Sequence, residues 1–143
     1  MGAIRRGQQA FGAAVVSQDR RGALGRRAEA LAAACLERQG CRILARNWRR
    51  REGELDLVAL APDGTCVFCE VRSRTGNATG EPLEAIGPRK RAQVIRVSRI
   101  FLAEEALPPG LTGFRYDVVA VTFAPPPSEE TEVVHLARAF ETT

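Results

Sequence analysis

Two carboxylates and a guanidinium stand on two short apolar runs of this chain. Asp56 lies in Gly53-Glu54-Leu55-Asp56-Leu57-Val58, and Glu70 and Arg72 lie in Val67-Phe68-Cys69-Glu70-Val71-Arg72. Both runs read as strands, yet they carry charge where a core strand would carry Val or Ile. A buried carboxylate is costly unless a cation, hydrogen bonds or a metal pairs it. Thirteen residues separate Asp56 from Glu70, enough for a strand end, a turn and a second strand. Brought to one point, the two acids would be hard oxygen ligands for Mg2+. An ion held that way suits phosphodiester hydrolysis.

The elements that must position these residues follow from periodicity. Leu24, Ala28, Leu31, Ala32, Cys35 and Leu36 recur at helical spacing, which predicts a helix from about Ala23 to Gln39 ended by Gly40. Glu29 falls at the edge of that apolar stripe. It reads either as an ordinary boundary glutamate or as a third acid leaning toward the sheet. Cys41 to Trp48 reads as a strand, followed by a basic turn and a strand from about Glu54 to Leu60. Asp63-Gly64 is a hairpin turn signal, and a third strand runs from about Cys66 to Arg74. Side chains alternate along a strand, so Glu54 shares a face with Asp56, and Glu70 with Arg72.

Thr75 to Gly87 is Gly-rich and polar and reads as a mobile loop. A second helix runs from about Pro88 to Ala106, with Pro88 in its first turn, where proline is accepted. Val94, Val97 and Phe101 form its inner face, Lys90 lies one turn before Val94 on that face, and Arg96 and Ile100 lie outside. Tyr116 to Phe123 is a strand and Thr131 to Leu136 an edge strand. The order α-β-β-β-α-β-β predicts an α/β domain built on one mixed sheet with a helix on each side.

At 143 residues the chain fits one domain, expected over residues 22–143. No apolar run is long enough to span a bilayer. In Met1 to Ser17, Arg5 and Arg6 precede a short apolar stretch interrupted by Gly12. Its expected role is a flexible extension over residues 1–21 rather than a cleaved signal, so the expected compartment is the cytoplasm. Charge is uneven: residues 1–51 hold twelve arginines against three acids, a net of +9, and residues 52–143 hold nine bases against fourteen acids, a net of −5. A basic half beside an acidic half suits a protein that attracts a polyanion and then coordinates a cation against it. Twenty arginines against one lysine, Lys90, also fits a compositional bias. That bias explains the cluster Arg46, Arg49, Arg50 and Arg51 less well. Cys66-x-x-Cys69 sits inside a strand pattern, where side chains three apart point to opposite faces, so the pair cannot share a zinc ion. Buried, reduced thiols are expected instead.

The order of elements with these acids resembles the restriction-endonuclease-like nucleases, whose motif is PD-(D/E)xK. The closer resemblance is to the YraN-like family of uncharacterised bacterial proteins, which is similar to archaeal Holliday-junction resolvases. It is carried by Gly25-Arg26-Arg27-Ala28-Glu29, Ile43-Leu44-Ala45-Arg46-Asn47-Trp48, Gly53-Glu54-Leu55-Asp56-Leu57-Val58, Phe68-Cys69-Glu70-Val71-Arg72-Ser73-Arg74, Gly80, Lys90 and Arg115-Tyr116-Asp117-Val118-Val119. The resemblance implies a restriction-endonuclease-like fold and a metal-dependent endonuclease acting on DNA as a homodimer, with branched DNA among the candidate substrates. It implies catalytic roles for Glu29, Asp56, Glu70 and Arg72. Asp56, Glu70 and the carbonyl of Val71 would hold Mg2+ or Mn2+, and Arg46, Arg49, Arg50, Arg51, Arg74 and Lys90 would contact nucleic acid.

Two positions depart from the motif. Leu55 replaces its proline, which carries no chemistry. Arg72 replaces its lysine, and an arginine keeps charge but does not surrender a proton. Lys90 is then a candidate for a migrated lysine. Two other readings remain open: a nucleic-acid-binding module that keeps the fold without catalysis, and a buried charge network that only fixes strand register. Arg115 and Asp117 read as structural, and Trp48 reads either as a base-stacking platform or as an anchor at a strand end.

Overall fold

In the computed structural model, residues 13–76 and 83–142 are described. The elements are helix α1 (Ala13–Arg38), strands β1 (Arg42–Arg50), β2 (Gly53–Leu60) and β3 (Thr65–Thr75), helix α2 (Pro88–Glu104), and strands β4 (Gly113–Phe123) and β5 (Thr131–Phe140). They form one five-stranded sheet in sequential order. Only β3 and β4 are parallel, and α2 makes the crossover that a parallel pair requires. The other neighbours run antiparallel. The expected α/β architecture and the order α-β-β-β-α-β-β are both present. No helix of the described residues is long and apolar enough to cross a membrane.

Each helix covers one face of the sheet. Ala28, Ala32 and Leu36 of α1 pack on Leu57, Ala59, Val67, Cys69, Val119 and Val121. Val94, Val97 and Phe101 of α2 pack on Leu55, Val58, Phe68, Tyr116 and Val118. Burying each of these large α2 side chains contributes ~1.5–3 kcal/mol, so packing rather than propensity fixes the helix. The buried hydroxyls between helix and sheet also pair: Ser98 Oγ of α2 and Tyr116 Oη lie 2.6 Å apart. Cys66 lies in the α2-side cluster and Cys69 in the α1-side cluster, on opposite faces as alternation requires.

Two glycines shape the turns that feed the strands. Gly40, at φ 91°, ends α1 with Cys41 N–H donating to the Leu36 carbonyl and Gly40 N–H to that of Glu37, a Schellman cap. A Cβ there would meet Pro62 Cγ at 2.8 Å. Gly64, at φ 92°, closes the β2–β3 turn, where Thr65 N–H donates to Asp63 Oδ1.

Several boundaries differ from the sequence expectation. α1 begins at Ala13 rather than near Ala23, within the segment expected to be a flexible extension. Residues 1–12 of the signal-like stretch lie outside the described residues, and Ala13 to Ser17 belong to α1. The basic turn shrinks, because Arg49 and Arg50 belong to β1, opposite Glu54 and Gly53. β5 runs on to Phe140, which stacks on Tyr116 at 5.0 Å between ring centroids. Of the loop expected over Thr75 to Gly87, Thr75 belongs to β3, and residues 77–82, Gly80 among them, lie outside the described set.

Candidate metal centre

The antiparallel ladder between β2 and β3 covers Leu57 to Leu60 against Cys69 to Cys66 and stops there. Leu55 packs on the α2 side and Leu57 on the α1 side. Residues two apart on a regular strand share a face, so the backbone of β2 turns over at Asp56. The strand edge is left open at that point, and the Asp56 side chain fills it. Its Oδ2 accepts a hydrogen bond from the Val71 N–H at 2.9 Å.

Glu70 occupies the neighbouring strand and is buried, at 3% exposure. Lys90 of α2 places its Nζ 3.6 Å from Glu70 Oε1 and 3.4 Å from Gln93 Oε1. Gln93 Nε2 in turn donates to the Glu52 carbonyl at 3.3 Å. Gly53 makes room for this, since a Cβ there would meet Gln93 at 2.9 Å. From the α1 side, Glu29 Oε1 accepts from Asn47 Nδ2 at 3.4 Å.

The electrostatics tie these groups together. Burial pushes the Asp56 carboxyl up to about 6; the Val71 N–H opposes this, the charges of Glu54 and Glu29 add to it, and Lys90 opposes it. Burial pushes the Glu70 carboxyl up to about 8, with the Asp56 charge adding and Lys90 opposing. Each carboxylate therefore disfavours ionisation of the other. A single lysine, Lys90, whose side chain is 46% exposed, faces them, and a solvated cation offsets little of a buried charge. Among the described residues no group of three or more His, Cys, Asp or Glu side chains is arranged to hold a metal ion. The donors on hand are two carboxylates and main-chain oxygen, the kind of partial shell that Mg2+ accepts while keeping waters and substrate oxygens.

Asp56, Glu70, Val71, Glu29 and Lys90 thus gather at one end of the sheet. Arg72 does not join the carboxylates. Its Nη1 donates to the Ala85 carbonyl at 2.9 Å, which ties β3 to the segment leading into α2. The arginines expected to meet nucleic acid divide. Arg49 pairs with Glu54 at 3.4 Å. Arg50 pairs with Glu104 at 2.8 Å and Glu105 at 3.6 Å and lies 3.9 Å over the Trp48 ring. Arg51 is exposed, and Arg46 and Arg74 are half-buried. Trp48 is an anchor: it meets Phe101 edge-on at 5.1 Å and donates from Nε1 to Glu105.

The sequence does not single out Asn47 or Gln93. The available signals were Gln93 three residues after Lys90, on the neighbouring turn of the helix, and the glycine before Glu54, which marks a close approach. A second polar cluster, around Asp117, is structural. This fully buried carboxylate takes hydrogen bonds from Arg115 Nε at 3.1 Å and Arg138 N–H at 3.0 Å, and its Oδ2 lies 2.7 Å from His135 Nε2.

Comparison with known proteins adds kinship. The chain is 48% identical over 110 residues to a UPF0102 protein of Acidothermus cellulolyticus, covering 71% of this chain and 82% of that protein. It is 47% identical over 125 residues to one from Anaeromyxobacter dehalogenans, covering 86% and 87%. With one from Pseudomonas aeruginosa it shares 54% over 82 residues, covering 57% and 65%. The model of the uncharacterised protein family UPF0102 matches residues 28–121, which span Glu29, Asp56, Glu70 and Lys90, and the chain belongs to that family.

Proposed function

We propose that the chain is a metal-dependent endonuclease that hydrolyses DNA phosphodiester bonds, with branched DNA among its candidate substrates. The observation that carries this reading is the pair Asp56 and Glu70: a half-buried and a fully buried carboxylate on adjacent strands that repel one another and face one half-exposed lysine. Asp56, Glu70 and the Val71 carbonyl would offer a divalent cation hard oxygen, and its charge would offset the repulsion between the two acids. Such an ion would supply Lewis-acid polarisation of a phosphate oxygen and acidify a water.

The chain's own residues do the rest. The Val71 N–H fixes the Asp56 carboxylate, so one ligand needs no reorganisation. Lys90, held between Glu70 and Gln93, takes the charge-stabilising place expected of Arg72. Arg72 braces the approach to α2 through Ala85, with its remaining N–H groups available to phosphate. Glu29, steadied by Asn47, orients solvent from the α1 side. A homodimer would suit a two-fold branched substrate.

Cleavage of plasmid, single-stranded and four-way-junction DNA with Mg2+ or Mn2+ tests the reading. Asp56→Asn and Glu70→Gln should each lose about 100-fold or more in rate, and Lys90→Ala more than Arg72→Ala. If purified Asp56→Asn cuts as fast as the parent, the assignment fails. A second reading is a nucleic-acid-binding module without catalysis. The engagement of the Arg72 guanidinium by Ala85 favours it, and binding that ignores divalent metal, with no cleavage of any substrate, would select it.

A further inference from the structure

The outward face of α2 is strongly basic. Between Pro88 and Ala103 the helix carries Arg89, Lys90, Arg91, Arg96 and Arg99 and no acid. With Val94, Val97, Ser98 and Phe101 buried, the 3.6-residue period sets Arg89, Arg96 and Arg99 in one row on the opposite side. Ala92 and Ala103 lie between them, and all five positions are exposed. We infer that this row binds the phosphate backbone of a nucleic-acid duplex beside the Asp56–Glu70 site. The inference rests on the proposed nucleic-acid substrate and not on its hydrolysis.

Three observations separate this face from an ordinary solvated one. First, its arginines lack the partners that charged helix faces use. The positions three and four residues from Arg96 are Ala92, Gln93, Arg99 and Ile100, and those around Arg99 are Ile95, Arg96, Leu102 and Ala103. No i,i+3 or i,i+4 acid pairs with either. Among the described residues Arg89, Arg96 and Arg99 make no ion pair, whereas Arg49 and Arg115 have one each and Arg50 has two.

Second, Arg89, Lys90 and Arg91 crowd the first turn, which holds no acid. Cations at a helix N-terminus oppose the macrodipole, so these residues stand against local stability, which an anionic ligand would restore. Third, Lys90 reaches Glu70 from the inner side of the first turn, so Arg89, the N-terminal end of the row, is the chain neighbour of a residue that touches the candidate site. Arg89 to Arg99 spans about 15 Å of helix, the rise of about four nucleotides on one strand of a duplex. No aromatic side chain lies on this face, so the contact is to phosphates and not to stacked bases.

The test is binding of a fluorescent 20-base-pair DNA duplex in EDTA, titrated at several salt concentrations. The triple variant Arg89→Ala/Arg96→Ala/Arg99→Ala changes only exposed positions to a strong helix former, and its melting temperature is measured alongside. The expected result is binding about tenfold or more weaker near 0.1 M salt, with the log–log salt slope shallower by about 2.7, or 0.9 per lost phosphate contact. The matching triple to Lys should retain most of the slope. An unchanged slope in the Ala triple overturns the inference. So does a parent protein that binds anionic phosphatidylserine vesicles but no duplex. Asp56→Asn, run in parallel, should keep the parent slope, so failure to cleave and failure to bind remain distinguishable.

Discussion

Asp56 Oδ2 accepts the Val71 N–H at 2.9 Å just beyond the last ladder pair of β2 and β3, Leu57 with Cys69. A side chain takes the place that the neighbouring strand's carbonyl would hold. The carboxylate is therefore both a candidate ligand and a structural acceptor, and two substitutions separate the roles. Asp56→Asn keeps an acceptor and removes the charge; Asp56→Ala leaves the N–H without a partner. In urea unfolding at pH 8 without metal, Asp56→Ala should be less stable than Asp56→Asn by ~1–3 kcal/mol. Equal stabilities would mean the hydrogen bond contributes nothing.

The Glu70 carboxyl, pushed up to about 8, makes stability depend on pH with a definite sign. The folded chain holds a proton that the unfolded chain releases from about pH 4.5 upward. Stability therefore falls as pH rises from the unfolded value through the folded one, and the cost is complete above about 8. Glu70→Gln cannot ionise. Its melting temperature should exceed the parent's by roughly 5–10 °C at pH 8.5 and converge with it near pH 4.5. Mg2+ or Mn2+ should raise the parent's melting temperature at pH 8 and have little effect at pH 5. Parallel melting curves across that range would contradict the assignment.

Asp117 behaves in the opposite way. Burial pushes its carboxyl up, but His135, the Arg138 N–H and Arg115 outweigh that and hold it below the ordinary range. Its contribution is present above the unfolded pKa, about 3.9, and is lost as pH falls below it. Asp117→Ala should cost ~3–5 kcal/mol in urea unfolding at pH 7, since it leaves buried partners unpaired. A cost within about 1 kcal/mol would show that this cluster does not hold β4 to β5.

The four thiols differ in reach. Burial raises Cys66 to about 11, raises Cys69 well above its ordinary value, and raises Cys41. Cys35 is half-buried beside Gln39. Native protein treated with iodoacetamide at pH 8 and analysed by mass spectrometry should be alkylated at Cys35 about tenfold faster than at the other three, and urea should equalise them. Early labelling of Cys66 or Cys69, or stoichiometric zinc in the purified protein, would contradict the packing.

Local pattern was enough for much of this molecule. The apolar repeat Val94, Val97, Phe101 determined which face of α2 is buried, and the alternation around Cys66 and Cys69 separated those thiols. Gly40 and Asp63-Gly64 marked the turns they make. These features depend on residues close in the chain, where helix and strand geometry leave little choice. What the tertiary structure decided was which charges meet. Only the turning over of β2 at Asp56 carries its carboxylate to the Val71 N–H, and only the crossover through α2 sets Lys90, twenty residues beyond Glu70, against it. Arg72 sits two residues from Glu70 yet serves Ala85, and Arg50 turns to Glu104 and Glu105. Side-chain pairing across the sheet depends on twist, register and helix docking together, and none of these is fixed by spacing along the chain.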